Sequence, residues 1–138
     1  PDMAMWLFTD AIQHGRPIKV FNNGDMQRDF TYVDDIVAGV VASLTKDSLD
    51  DYEVFNLGNH RSEPLMRLIS LIEQGLGREA EKIMMPMQDG DVQATYADIS
   101  RARAKLGFAP ATALEDGVPR FIEWFSAHPE FHGTDTVK

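Results

Sequence analysis

The stretch Arg28-Asp29-Phe30-Thr31-Tyr32-Val33-Asp34-Asp35-Ile36 decides how the rest of the chain is read. Asp29 to Val33 is rich in aromatic and β-branched residues and reads as extended. Asp34 or Asp35 then offers a carboxylate to cap a helix, whose apolar face is Ile36, Val37, Val40, Val41 and Leu44. Arg28 stands just ahead of the extended piece and just beyond the turn Asn22-Asn23-Gly24-Asp25. A guanidinium in that place has the fork geometry to bind phosphate through paired hydrogen bonds. The spacing fits equally a surface arginine paired with Asp25 or Asp29, and leaves both readings open.

Working outward, the upstream segment has Asp2 as a helix cap, with Ala4, Leu7, Phe8, Ala11 and Ile12 at the spacing of one buried face. Gly15 and Pro17 end that helix, and Ile18-Lys19-Val20-Phe21 reads as a short strand. Downstream, Val54-Phe55-Asn56-Leu57-Gly58 has the pattern of a buried strand. Ser62 is placed to cap a helix with Pro64 in its first turn and Leu65, Leu68, Ile69, Ile72 and Leu76 along one side. Lys82 to Met85 suggests a further strand, and residues 86–92 a loop. Asp98 caps a short helix ending before Gly107, and a last helix runs from about Asp116 to Ala127, stopped by Pro129. Gly133 to Lys138 reads as a frayed end.

Strands alternating with helices make the class α/β. Three or four short strands beside five helices form a thin sheet for so many apolar faces, so some faces are expected to pack on a sheet outside these residues.

Composition narrows the function. Of 138 residues, 43% are hydrophobic, and 13 basic residues face 22 acidic ones for a net charge of −9, which argues against duplex nucleic acid as a partner. The absence of cysteine excludes disulfides and thiolate metal sites, and the histidines have no partners at metal-binding or triad spacing. No apolar run has the length of a membrane span and no signal-peptide pattern is present, which makes a cytoplasmic location the default. The chain opens on Pro1 with no initiator Met and with a helix start already under way, and is expected to be a piece of something longer.

The quoted stretch resembles the strand-to-helix segment of extended short-chain dehydrogenases that act on nucleotide sugars. Three further segments, in the same order, are similar to parts of UDP-glucuronate 4-epimerases. Pro1-Asp2-Met3-Ala4 resembles a helix start, Pro17 to Asn22 the uracil-contacting strand, and Met87-Gln88-Asp89-Gly90-Asp91-Val92 with Ala94 to Asp98 the late substrate loop. The resemblance covers residues 1 to about 126. It implies the C-terminal part of a Rossmann-type fold, with a small mixed sheet and about five helices. Residues 1–131 would be the substrate-binding portion and 132–138 a flexible tail, the NAD-binding N-terminal part being absent.

The same resemblance implies roles. Arg28 would hold the pyrophosphate of a UDP-sugar. Backbone groups around Lys19 and Phe21 would hold the uracil, with Phe21 packed near it, and Asp91 would accept from the ribose hydroxyls. Gln88 would face the diphosphate or ribose; UDP-galactose 4-epimerases tend to have Arg there, so the departure favours the glucuronate type. Thr95 would lie near the hexose. Asn59 and Arg61, in Asn56 to Glu63, are weaker candidates for phosphate contact. NAD would be the cofactor of the full-length enzyme, a UDP-sugar its partner and a homodimer its state, with self-association of the fragment expected from its orphaned helix faces.

The family's acid–base work belongs to a Tyr-x-x-x-Lys pair, in which lysine lowers the tyrosine pKa. Four residues after Tyr32, Tyr52 and Tyr96 stand Ile36, Asn56 and Ser100, so no catalytic residue is assigned in this chain, which by itself should be inactive. Gly75-Leu76-Gly77-Arg78-Glu79-Ala80 has the letters of a dinucleotide turn but follows a helix, where glycine is a C-cap, and is rejected. A nucleotide-sugar dehydratase or decarboxylase, and a non-catalytic interaction module on the same scaffold, remain as alternatives.

Overall fold

A computed structural model describes residues 3–133 of the chain. In order, these form α1 (Ala4–Gln13), β1 (Ile18–Val20), a 3-10 turn (Phe21–Gly24), β2 (Gln27–Arg28), α2 (Val33–Thr45), β3 (Glu63–Pro64), α3 (Leu65–Leu76), β4 (Lys82–Met84), α4 (Ser100–Leu106), α5 (Leu114–Ala127) and a 3-10 turn (Pro129–Phe131). The class is α/β with five helices. Strand β1 pairs in parallel with β4, Ile18 opposite Lys82 and Val20 opposite Met84. Strand β2 pairs antiparallel with β3, Arg28 opposite Glu63, and Gln27 forms a parallel bridge to Ala94.

The main core lies where α1, α3 and α5 converge on β1. Ile12, Val20, Leu68, Ile69 and Ile72 are almost wholly enclosed there. A second, smaller cluster joins Ile99, Ala102, Leu106 and Phe108 to Leu57 and Phe55. Glycines stop α1, α3 and α4 as the sequence suggests, Gly15 taking φ +68° after α1. Gly77 adopts φ +63°, with the Arg78 N–H returning to the Glu73 carbonyl, and Gly107 adopts φ +71° after α4; both are conformations that disfavour a Cβ.

Several sequence expectations are corrected. The strand expected over Asp29–Val33 is displaced to Gln27–Arg28, because beyond Arg28 the chain is held by side-chain bonds of Asp29 and not by a ladder. Phe21 leaves β1 for the 3-10 turn, where Asn22 and Asn23 take left-handed backbone (φ 49° and 51°). Val54 to Leu57 alternates outward and inward yet forms no strand, since no strand edge lies beside it among the described residues. Neither Asp34 nor Asp35 caps α2; both sit in its first turn, and Asp35 accepts the N–H groups of Ala111 and Thr112. Ser62 does not cap α3 either; its hydroxyl donates to the Thr95 carbonyl at 2.6 Å, and Pro64 precedes the helix.

Ile99 and not Asp98 holds the N-cap position of α4, while Asp98, one residue earlier, accepts the Ser100 N–H at 2.9 Å. The final helix begins at Leu114. Asp2 and residues 134–138 fall outside the described residues, whereas the Gly133 N–H donates to Asp10 Oδ1 at 3.0 Å. The face of α2 expected to be buried is open: Val37, Val40, Val41 and Leu44 are exposed and Gly39 is the buried position. The reason is local, since a Cβ at Gly39 would stand 2.8 Å from Leu57 and 3.0 Å from Phe108, so this side of the helix makes the close approach. Among the described residues, no helix is long and apolar enough to cross a membrane.

Candidate functional site

A cleft of about 830 Å³ opens between the start of α1, the β1 segment, β2 and the chain at residues 91–95, and Lys19, Phe21, Arg28, Asp91 and Thr95 all line it. Each arrives there for a local reason. In β1 the buried, exposed, buried pattern of Ile18-Lys19-Val20 turns Lys19 away from the core. The left-handed residues after Phe21 bend the chain around so that β2 returns alongside, carrying Arg28. The Gln27 N–H donates to the Gln93 carbonyl at 2.8 Å and the Thr95 N–H to the Gln27 carbonyl at 3.2 Å, which draws residues 91–95 against β2.

Three acceptors surround the Arg28 guanidinium. Its Nη2 lies 2.7 Å from Asp91 Oδ1, and its Nη1 donates to the Gln27 carbonyl at 2.8 Å and the Gln93 carbonyl at 3.2 Å. Asp91 Oδ1 also accepts its neighbour's N–H, from Val92, at 2.8 Å. The pair is partly solvated, so a ligand with its own anionic groups can reach the guanidinium. Gln88 is not among the lining residues; it is exposed in the turn before Asp91, and its carbonyl accepts the Asp91 N–H. Asn59 and Arg61 do not line the cleft.

Three contributors were not apparent from the sequence. Met3, Ala4 and Met5, at the start of α1, form part of the wall, and the first turn of a helix presents N–H groups without intrahelical partners and a partial positive charge. Arg16 and Asp10 form an ion pair on the same wall. Burial pushes the Asp10 carboxyl up, and this is outweighed by the Gly133 N–H, Arg16 and His14, which hold it below the usual aspartate range. Asp29, next to Arg28, accepts main-chain N–H groups from both residues 59–60 and residue 97. Only its adjacency to Arg28 hinted at it, because its partners lie far along the chain. The cleft thus combines an apolar floor and the start of a helix with the cations Arg16, Lys19 and Arg28 and the carboxylates Asp10, Asp29 and Asp91. Among the described residues no three acidic, histidine or cysteine side chains converge on a metal-sized point.

The model for the NAD dependent epimerase/dehydratase family matches residues 1–58. An uncharacterized protein of Methanocaldococcus jannaschii is 48% identical over 125 residues, which is 91% of this chain and 38% of that protein. A probable UDP-glucuronate 4-epimerase of Rhizobium meliloti is 38% identical over 142 residues, 91% of this chain and 42% of its own length. The chain belongs to the NAD dependent epimerase/dehydratase family.

The shape agrees with its kin. The crystal structure of UDP-glucuronic acid 4-epimerase from Bacillus cereus, in complex with UDP-glucuronic acid and NAD, superposes with a TM-score of 0.86 at 31% identity, covering 92% of this chain and 40% of that one. The chain spans about 30–42% of the length of the curated relatives it matches. For this epimerase/dehydratase chain the dinucleotide fit is poor among the described residues. Its Gly75-Leu76-Gly77 sequence closes the C-terminal end of α3, where carbonyls and not N–H groups face outward, so it cannot seat a pyrophosphate.

Proposed function

We propose that this chain is the substrate-binding portion of an NAD-dependent nucleotide-sugar 4-epimerase of the UDP-glucuronate to UDP-galacturonate type, which works through a 4-keto intermediate. One observation carries the reading: Lys19, Phe21, Arg28, Asp91 and Thr95, separated by as much as 76 positions in sequence, line a single cleft. In this reading Arg28 holds the diphosphate, with its fork already oriented by two carbonyls. Main-chain groups around Lys19 and Phe21 hold the uracil, Asp91 accepts from the ribose, and Thr95 meets the sugar. Gln88 reaches the ligand only if the turn at 88–91 shifts inward. These groups bind and orient and do no acid–base work, which the proposal assigns to residues outside this chain, as it does the seat of NAD. It also takes the full-length enzyme to be a cytoplasmic homodimer.

The test is calorimetric titration of UDP and UDP-glucuronate into the full-length protein, with Arg28→Ala and Asp91→Ala beside the wild type. Loss of a charge-assisted contact weakens binding by about 1.5–3 kcal/mol, roughly tenfold or more. Because Asp91 also anchors Arg28, the double variant should lose less than the two single losses combined. A wild type that binds neither ligand ends the proposal and leaves a scaffold that serves interaction.

A further inference from the structure

We propose that Asp29 is a positioning residue of this cleft, setting the Thr95 hydroxyl against the ligand and fixing its place relative to Arg28. The inference rests on the nucleotide-sugar reading above and adds a residue to it. Asp29 Oδ1 accepts the Asn59 N–H at 2.7 Å, and Oδ2 accepts the Ala97 N–H at 2.9 Å and the His60 N–H at 3.2 Å. Two oxygens thus satisfy three main-chain donors from two distant segments, with the Thr31 hydroxyl a longer fourth donor to Oδ1 at 3.5 Å, which a carboxylate can do with its four acceptor sites.

The surrounding backbone depends on this arrangement. His60 sits at φ +58°, an uncommon conformation for a residue with a Cβ, and its N–H is one of the three donors. At Gly58 a Cβ would stand 2.4 Å from that of Ala97 and 3.1 Å from Asp29 Oδ2, so the turn has closed tightly around the carboxylate. On the other side, the Asp29 main-chain N–H donates to Thr95 Oγ1 at 3.0 Å, and Ser62 Oγ holds the Thr95 carbonyl at 2.6 Å.

The direction of the Asp29–Thr95 bond has a chemical result. The threonine oxygen serves as acceptor towards Asp29, which leaves its hydrogen to be donated to an oxygen in the cleft. Asp29 and Thr95 also form a wall common to the main cleft and to a neighbouring cavity of about 460 Å³ lined by Asn56, Thr31 and Tyr96. Arg28 is covalently adjacent to Asp29, so one residue sets the spacing between the group proposed for the diphosphate and the group proposed for the sugar. An asparagine offers one oxygen, and its NH₂ would face N–H groups, so the cage cannot be rebuilt around it.

The experiment measures Kd for UDP and for UDP-glucuronate in the full-length protein with Asp29→Asn, Asp29→Glu, Thr95→Val and the Asp29→Asn/Thr95→Val double variant. For Asp29→Asn we expect UDP-glucuronate to weaken about tenfold while UDP changes less than about threefold, with the double variant no worse than the worse single variant. Equal loss of both ligands, or fully additive losses in the double variant, overturns the inference and makes Asp29 a scaffold residue. Should Asp29→Asn fail to fold, Asp29→Glu decides: its displaced carboxylate should weaken UDP-glucuronate selectively, and wild-type binding of both ligands rejects the role. A wild type that binds neither ligand is the separate failure of the underlying site.

Discussion

Helices α2 and α3 carry comparable apolar stripes, yet α3 buries Leu65, Leu68, Ile69 and Ile72 whereas α2 leaves Val37, Val40, Val41 and Leu44 in contact with water. The difference is one of neighbours. Helix α3 is packed against α1 and α5 within the main core, and Gly75 lets Ile122 of α5 approach to a distance that a Cβ would not permit. Helix α2 touches the smaller cluster through Gly39 and Ala42, and its valines point the other way. Periodicity therefore identifies which side of a helix is apolar, but the presence of a covering partner is a tertiary fact. A contiguous exposed apolar stripe is the kind of feature that marks contact surfaces.

The sharpest way to break the comparison is Ile69→Ala beside Val41→Ala. The first deletes methyl groups from a fully enclosed site and should cost about 2–5 kcal/mol, and the second should stay within about 0.5 kcal/mol. Urea unfolding of both variants measures the contrast, and equal losses would show that the two helices are not differently sealed. A smaller effect is expected in the second cluster, where Glu53 joins its lead-in segment to α4 through Lys105 at 2.7 Å and Arg101 at 2.7 Å. Lys105, then the Asp50 N–H, pull the Glu53 pKa down to about 2 from 4.5. A depressed carboxylate stabilises above its unfolded pKa, so this contribution is complete above pH about 4.5 and is lost as pH falls towards about 2. Melting temperature recorded across that window should fall less steeply for Glu53→Gln than for the wild type. The smallest effect on stability belongs to Val41→Ser/Leu44→Ser, within about 0.5 kcal/mol, although light scattering should show a self-associating chain shifted towards monomer. No change in its association would remove the α2 stripe as a contact surface.

What the sequence revealed divides along the same line. Helices α1, α3 and α5, the stops at Gly15, Gly77 and Gly107, and the segments that meet in the cleft are all legible, because each rests on local spacing or on a motif. Lys19, Phe21, Arg28, Asp91 and Thr95 converge, whereas Gln88 stays in its turn, since loop conformation is not encoded by motif order. Ser62 and Asp35 illustrate the limit. Each has the right residue type for a helix cap, but each spends its side chain on a partner at least 33 positions away. Asp29 escapes a reading of the sequence for the same reason, as an acidic residue in a motif looks alike whether it faces water or gathers main-chain N–H groups from distant segments.

The parallel pairing of β1 with β4 bears on how the protein is made. Arg28 meets Asp91 across 63 positions and Asp29 meets Thr95 across 66, so the two walls of the cleft are not joined until a long loop has closed. At about 5–20 residues per second, a ribosome releases the second wall on the order of 3–13 seconds after the first. Throughout that interval Ile18 and Val20 form an unpaired edge awaiting Lys82 to Met84. Ligand capture is consequently a late acquisition on the folding route, and nascent chains halted before residue 91 would carry the arginine without its counterpart.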